Sequence, residues 1–83
     1  MSTKLFVGSL PWSVDDEELK QAFEKQGTVV SAKVVKDRDT GRSRGFGFVE
    51  MGSADDAQKA IKALNDSELD GRNIVVNEAK ARS

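Results

Sequence analysis

The segment RGFGFVEM, residues 44–51, alternates between two kinds of side chain. Its even-numbered positions hold arginine, two phenylalanines and glutamate, and its odd-numbered positions hold glycine, valine and methionine. Successive side chains of a β-strand point to opposite faces of the sheet, so this segment predicts a strand with one aliphatic and one mixed face. The preceding residues 37–43 (DRDTGRS) are polar and include a glycine, which predicts a turn that joins this strand to an earlier one.

Further strands and helices are predicted on both sides of this segment. Alternation predicts strands at residues 4–10, 29–36 and 73–78, with a turn at residues 68–72 before the last strand. Apolar residues at helical spacing predict two helices, which begin at the caps Asp15 and Ser53 and end at Gly27 and Asn65. The order βαββαβ predicts an α+β fold of the ferredoxin-like type, in which two helices cover one face of a four-stranded antiparallel sheet. We expect a single domain over residues 1–83, with a core of about residues 4–79.

Side-chain parity divides the predicted sheet into two faces. One set is aliphatic or small and comprises Leu5, Val7, Ala32, Val34, Gly47, Val49, Met51, Ile74 and Val76. The other set mixes aromatic, charged and amide side chains and comprises Lys4, Phe6, Gly8, Lys33, Val35, Arg44, Phe46, Phe48, Glu50, Asn73, Val75 and Asn77. Burying an unpaired charge under a helix costs several kcal/mol. We therefore expect the aliphatic face to meet the helices and the mixed face to stay open.

Three of the four phenylalanines of the chain then lie together on the open face. We expect the rings of Phe6, Phe46 and Phe48 to be exposed and coplanar, with basic side chains around them. A cluster of exposed apolar residues usually marks a binding site. Flat rings beside cations suit a partner that has flat faces and negative charge, which describes single-stranded nucleic acid.

The composition excludes several kinds of site. The chain has no cysteine and no histidine, which excludes a disulfide framework, a Cys/His zinc site and a Cys/His nucleophile. The net charge is −1, yet residues 33–44 carry +3 while residues 15–25 and 55–70 carry −3 each, which predicts a basic sheet side and an acidic helical side. No apolar stretch approaches the roughly 20 residues that span a bilayer, and the start lacks a secretory signal. We expect a cytoplasmic protein with no membrane contact and no cofactor.

These segments resemble the two signatures of the RNA recognition motif family. Residues 44–51 match the family octamer (K/R-G-F/Y-G/A-F-V-x-F/Y) at seven of eight positions, and residues 5–10 (LFVGSL) resemble the hexamer of the first strand. Ser9 and Met51 depart from the pattern, because the family usually has asparagine and an aromatic residue there. The resemblance covers essentially the whole chain. It implies a non-catalytic monomer that binds single-stranded RNA, and an RNA chaperone or stabilising role would follow from binding. Some binding of single-stranded DNA is also expected, because stacking does not read the 2′-hydroxyl.

Individual site residues follow from the open face and from the resemblance. Phe6, Phe46 and Phe48 correspond to the positions on which bases stack. The other residues expected to bind RNA are Arg44, Lys4, Lys33, Arg42, Asn77 and Lys80. Trp12 is expected to pack against the sheet or edge it rather than to bind. No catalytic and no metal-binding residue is expected.

Two other functions remain open. A protein-interaction module that reuses the fold usually shows a disrupted signature or a covered sheet, and partners retained after ribonuclease treatment would favour it. An enzyme would need a clustered acid, base or anion cradle. The sequence supplies no histidine, no cysteine and no phosphate loop for that purpose.

Overall fold

The computed structural model describes residues 3–41, 43–69 and 71–79, and for residues 43 and 44 it describes the backbone alone. Within these residues the chain forms two helices and six strands. In chain order they are β1 (Lys4–Gly8), α1 (Asp16–Glu24), β2 (Val29–Lys36), β3 (Ser43–Met51), α2 (Ala54–Leu64), β4 (Glu68–Leu69), β5 (Arg72–Asn73) and β6 (Val75–Glu78). The predicted order βαββαβ is confirmed by the longer elements, and β4 and β5 add a short hairpin before the last strand.

The four longer strands form one antiparallel sheet in the order β2-β3-β1-β6. β1 pairs with β3 through Leu5 opposite Val49, and with β6 through Val7 opposite Val76. The two strands that carry the hexamer and the octamer are therefore neighbours in the middle of the sheet. Side chains on these strands have a neighbouring strand on either side.

Each helix begins at a side chain that accepts a backbone hydrogen bond. The Asp15 carboxylate accepts the Glu18 N–H at 2.9 Å, and the Ser53 hydroxyl accepts the Asp56 N–H at 3.2 Å. Such a cap satisfies one of the unpaired N–H groups at a helix start and contributes about 1 kcal/mol. The first turns are also acidic, which the helix dipole favours. Both predicted caps are confirmed.

The helices and the sheet share one apolar core. Leu19 and Phe23 of α1 and Ala57 and Ala60 of α2 are buried in it. Full burial of one large apolar side chain contributes roughly 1.5–3 kcal/mol. Seven of the nine residues predicted for the aliphatic face also lie in this core, and Ala32 packs against it. The seven are Leu5, Val7, Val34, Val49, Met51, Ile74, which directly precedes β6, and Val76. The predicted architecture, with both helices on one face of a four-stranded antiparallel sheet, is confirmed.

Side chains outside the sheet occupy an outward N–H on each of its edge strands. The Asp16 carboxylate accepts the Val34 N–H of β2 at 2.6 Å, and the Asn65 amide oxygen accepts the Val76 N–H of β6 at 3.0 Å. β2 also carries register shifts near its two ends. Exposed edges of a sheet invite pairing with another chain, and bulges and capped N–H groups counter it. The edges are thus partly closed, whereas the mixed face has no helix over it.

Three predicted boundaries are wrong. α1 ends at Glu24, with Lys25 as its C-cap, rather than at Gly27. β1 ends at Gly8 rather than at residue 10, because Ser9 has a φ of 57° and a left-handed residue cannot continue a strand. The predicted turn at residues 68–72 instead contains the β4–β5 hairpin, with Gly71 at a φ of 86°. The last strand consequently begins at Val75 rather than at residue 73.

Neither helix in the described part of the chain has the length and apolar character that crossing a lipid bilayer requires.

Candidate functional site

One row of side chains crosses the open face from edge to edge. Lys33 of β2 lies opposite Phe48 of β3. Phe48 in turn lies opposite Phe6 of β1, and Phe6 lies opposite Asn77 of β6. Residues opposite each other in adjacent strands share a face and have Cβ atoms about 4.5–5.5 Å apart. The row therefore reads cation, ring, ring and amide across the four strands.

The three phenylalanine rings contact one another in a triangle. The ring centroid of Phe6 lies 5.8 Å from that of Phe46 and 5.8 Å from that of Phe48, and the Phe46 and Phe48 centroids are 6.3 Å apart. All three side chains are half-buried, because each ring covers part of the others. The cluster is thus a preformed apolar surface in which every ring is held by two neighbours.

The predicted coplanarity of these rings is wrong. The planes of Phe6 and Phe46 differ by 32°, whereas Phe48 is tilted by 66° from Phe6 and by 89° from Phe46. Aromatic rings carry negative faces and positive edges, so neighbouring rings favour an edge-to-face arrangement. Phe6 and Phe46 can therefore offer similarly inclined faces to two successive flat groups, while Phe48 presents a different orientation.

Gly8 makes room for the Phe6 ring. A Cβ atom built on Gly8 would lie 3.0 Å from Cε2 and 3.4 Å from Cζ of Phe6. The ring thus lies against the backbone of β1, over a position that has no side chain. Val75 of β6 is the strand partner of Gly8 and is 36% exposed, so it borders the ring cluster on the β6 side.

Charged side chains border the rings on the open face. The Lys4 Nζ lies 5.6 Å from the Phe48 ring centroid, which is within the range of a cation–π contact. Lys33 is exposed at the β2 end of the row. Glu50 is half-buried and lies opposite both Lys4 and Ser31. The local field therefore combines two cations with one carboxylate, and the carboxylate disfavours an anion at that end of the face.

Six of the nine predicted RNA-binding residues are brought together by this geometry. They are Phe6, Phe46, Phe48, Lys4, Lys33 and Asn77. Arg44 contributes its backbone to β3, and its side chain lies outside the described residues. Arg42 and Lys80 also lie outside the described residues.

Parity placed Glu50 and Val75 on the open face, but neither was named among the residues expected to bind RNA, although both border the rings. Trp12 was expected to pack against the sheet or edge it, but its side chain is 70% exposed, so the expectation of packing is wrong. Apolar character alone did not reveal which residues of the β1–α1 turn face solvent, because Leu10 and Val14 of the same turn are buried.

Metal chemistry finds no support at this site. Among the residues that the structure describes, no group of three or more Asp, Glu, His or Cys side chains is placed to hold a metal ion.

Two curated plant proteins are similar to this chain along its length. Glycine-rich RNA-binding protein 4, mitochondrial, of Arabidopsis thaliana is 57% identical over 83 residues, which are 100% of this chain and 61% of that protein. The 29 kDa ribonucleoprotein, chloroplastic, of the same plant is 56% identical over 79 residues, which are 95% of this chain and 23% of that protein. The chain therefore spans less than two thirds of the length of these relatives.

Solved structures and a family model agree with the sheet and its two signatures. The crystal structure of RNA-binding protein PG1 superposes with a TM-score of 0.91 at 48% identity, over 99% of both chains. A structure described as an Sxl-lethal protein/RNA complex superposes with a TM-score of 0.88 at 37% identity, over 94% of this chain and 47% of that chain. The family model of the RNA recognition motif matches residues 5–75, from the hexamer into the last strand. This chain belongs to the RNA recognition motif family.

Proposed function

We propose that this domain binds short single-stranded RNA on the open face of its sheet and catalyses no reaction. The observation that carries the proposal is the triangle of Phe6, Phe46 and Phe48, half-exposed on the sheet face that no helix covers. Family membership supports it, as do the similar RNA-binding protein of Arabidopsis thaliana and the similar structure of a protein/RNA complex. An RNA chaperone or stabilising role would follow from binding alone.

Base stacking supplies the main binding energy in this proposal. One base stacked on an aromatic side chain contributes roughly 1–3 kcal/mol, and sheets of this kind stack two or three bases. Phe6 and Phe46, whose planes differ by 32°, hold two successive bases or a base and its sugar. Three platforms together contribute about 3–9 kcal/mol before the cost of ordering the strand. Because every base has a flat face, we expect little sequence preference and some affinity for single-stranded DNA.

The polar side chains orient the strand on the rings. Lys33 at the β2 end of the row and Lys4 beside Phe48 contact phosphates, and we assign the same role to Arg44, Arg42 and Lys80 from their sequence positions. Asn77 lies opposite Phe6, so its amide can donate to and accept from the edge of a base stacked on that ring. Each contact with a phosphate releases counterions from the RNA on binding. The affinity should therefore fall more steeply with salt concentration as the number of such contacts increases.

The test is titration of short RNA into the Phe46→Ala/Phe48→Ala variant, with melting temperature as the check of folding. We expect the loss of most of the affinity. The matched control is Phe46→Leu/Phe48→Leu, which keeps apolar volume but removes the flat faces, and it should also bind weakly. Arg44→Ala should weaken binding and flatten its salt dependence. Wild-type affinity in the alanine pair would refute the proposal.

We also propose that the domain acts as a monomer in the cytoplasm. The blocked N–H groups on both edge strands support the monomer, which light scattering at micromolar concentration would test. The two curated relatives are named as mitochondrial and chloroplastic. Fractionation of cells that express the tagged protein would decide the compartment, and enrichment in an organelle would overturn the cytoplasmic assignment.

A further inference from the structure

A groove opens on the helical side of the domain, between α1 and the β4–β5 hairpin. It has a volume of about 190 Å³, and it is lined by Glu18, Gln21, Ala22, Lys25 and Leu69. Residues three and four apart in a helix are neighbours on its surface, so the residues from α1 and its C-cap form one continuous wall. A cavity of about 150 Å³ is enough to bind benzene. The groove can therefore accommodate one aromatic or branched aliphatic side chain.

The groove has an apolar floor and polar walls. Ala22 and Leu69 pack against the core, yet both remain partly exposed in the groove. Glu18, Gln21 and Lys25 are exposed around them. An apolar centre with a polar rim is the usual composition of a surface that binds another protein.

Negative charge surrounds the groove. Residues 15–25 hold five acids and two bases. Glu17 and Glu24 are exposed, and they lie one turn before and one turn after Gln21 on the same stripe of α1. Glu68 of the hairpin is exposed as well. This field repels the phosphates of a nucleic acid and attracts a basic protein segment.

One of these acids is placed against the preference of the helix itself. The last turn of α1 contains Glu24 and no basic residue, whereas the helix dipole favours cations at that end. Glu24 therefore contributes nothing favourable to the isolated helix. A cation supplied by a partner would turn the same carboxylate into a favourable contact.

We propose that this groove binds a basic segment of a partner protein, with one apolar side chain of the segment inserted over Ala22 and Leu69. The groove and the phenylalanine rings lie on opposite sides of the sheet, because Leu19 and Phe23 of α1 are buried against its aliphatic face. The domain can therefore hold RNA on one side and a protein on the other at the same time. The inference goes beyond the proposed function and uses no residue of the open face.

A labelled peptide tests the groove in the intact protein. The probe is a short glycine–serine peptide that carries one phenylalanine with three arginines beside it, and its anisotropy reports binding. We expect saturable binding that weakens about ten- to a hundredfold when alanine replaces the phenylalanine, because burial of that ring is lost. Binding should also weaken when salt is raised from 50 to 200 mM, since salt screens the attraction to the acids. Equal binding of the alanine peptide would overturn the inference.

Two protein variants separate the shape of the groove from its charge. Ala22→Leu fills the groove and should weaken peptide binding at least tenfold, with the RNA affinity unchanged. Glu24→Gln should weaken peptide binding about twofold at 50 mM salt and slightly raise the melting temperature, because it relieves the conflict with the helix dipole. Asp39→Asn is the matched control, since it removes an exposed carboxylate of the β2–β3 turn, and it should bind the peptide as the wild type does.

Amide chemical shifts in NMR spectra locate the peptide without any substitution, and they decide the question if Ala22→Leu does not fold. The amides of Gln21, Ala22 and Leu69 should shift on addition of the peptide, whereas those of Phe6 and Phe48 should not. Protein saturated with RNA should bind the peptide with the same affinity as free protein. Wild-type peptide affinity in folded Ala22→Leu, shifts confined to the sheet, or displacement of the peptide by RNA would each overturn the inference.

Discussion

The Gly8→Ala variant should separate RNA binding from stability, because Gly8 lies against the Phe6 ring on the open face. The added Cβ would stand 3.0 Å from Cε2 of that ring, whereas carbon atoms in favourable contact are about 3.5–4.0 Å apart. The ring must therefore move by about half an ångström or more. It can move, because it is half-exposed and the rings that it contacts, those of Phe46 and Phe48, are also half-exposed side chains.

Stability should change little in this variant. Gly8 does not have a positive φ, so alanine fits the backbone and stabilises by about 0.4–1 kcal/mol through the unfolded chain. Moving the Phe6 ring away from its preferred rotamer costs a similar amount, about 0.5–1.5 kcal/mol. The two effects nearly cancel. Binding lacks this compensation, since a displaced ring loses part of the roughly 1–3 kcal/mol of one stacked base. We expect the Kd to rise about three- to tenfold, or by about 0.7–1.4 kcal/mol.

Anisotropy with a short labelled RNA and thermal melting together measure both quantities. Gly52→Ala is the matched control, because its Cβ would meet Thr28 Cβ at 3.2 Å, a similar crowding outside the ring cluster. That variant should keep the RNA affinity of the wild type. Unchanged affinity in Gly8→Ala, or the same loss in both variants, would refute the placement of the bound base on Phe6.

Two further substitutions test the charge on the open face and the end of β1. Glu50→Gln removes the carboxylate opposite Lys4. It should tighten RNA binding about twofold at 50 mM salt, with a smaller gain at 200 mM. Weaker binding of the variant in RNA titrations would show that the carboxylate contacts a hydrogen-bond donor of a base instead. Ser9→Asn places a residue that tolerates left-handed backbone at a φ of 57°. The substitution should raise the free energy of unfolding by about 0.5 kcal/mol and the Tm by about 2–4 °C. Ser31→Asn, on the extended strand β2, is the control and should raise neither. A lower Tm for Ser9→Asn in calorimetry would contradict the strain argument.

Side-chain parity was sufficient to predict the open face. Phe6 lies in β1 and Phe48 in β3, and α1 and β2 separate them in the sequence. Each strand nevertheless divides its side chains into only two sets, and the charged residues exclude one of these sets from the core. Parity fails where the backbone leaves the strand geometry. Val30 shares the parity of the core residue Val34 and of Ala32, which packs against the core, but a register shift between Val29 and Ser31 leaves Val30 62% exposed. The extra residue resets the alternation, and no local sequence signal marks the bulge.

The details of the candidate site depended on tertiary structure. Leu10 has the parity of Phe6 and the open face, yet it is buried, because β1 has ended and the left-handed Ser9 precedes it. The angles between the three rings depend on how they pack against each other on a twisted sheet. The turn that carries the exposed Trp12 is joined to β3 by the hydrogen bond from Leu10 to Gly45, which links segments 35 residues apart. Secondary-structure propensity and the spacing of residues along the chain predict none of these angles and contacts.

The edges and the face of the sheet differ in what they offer to a partner. A protein segment that adds a strand gains affinity from unpaired backbone groups at a sheet edge. Here the Val34 N–H of β2 is taken by Asp16 and the Val76 N–H of β6 by Asn65, so an added strand would have to displace a hydrogen bond at either edge. The face offers three rings already held against one another, and a flat ligand gains stacking energy there without displacing any hydrogen bond of the protein. Binding at the face therefore costs less free energy than binding at an edge, because it breaks no hydrogen bond of the protein. This difference favours a nucleic-acid strand over an added β-strand as the partner of this sheet.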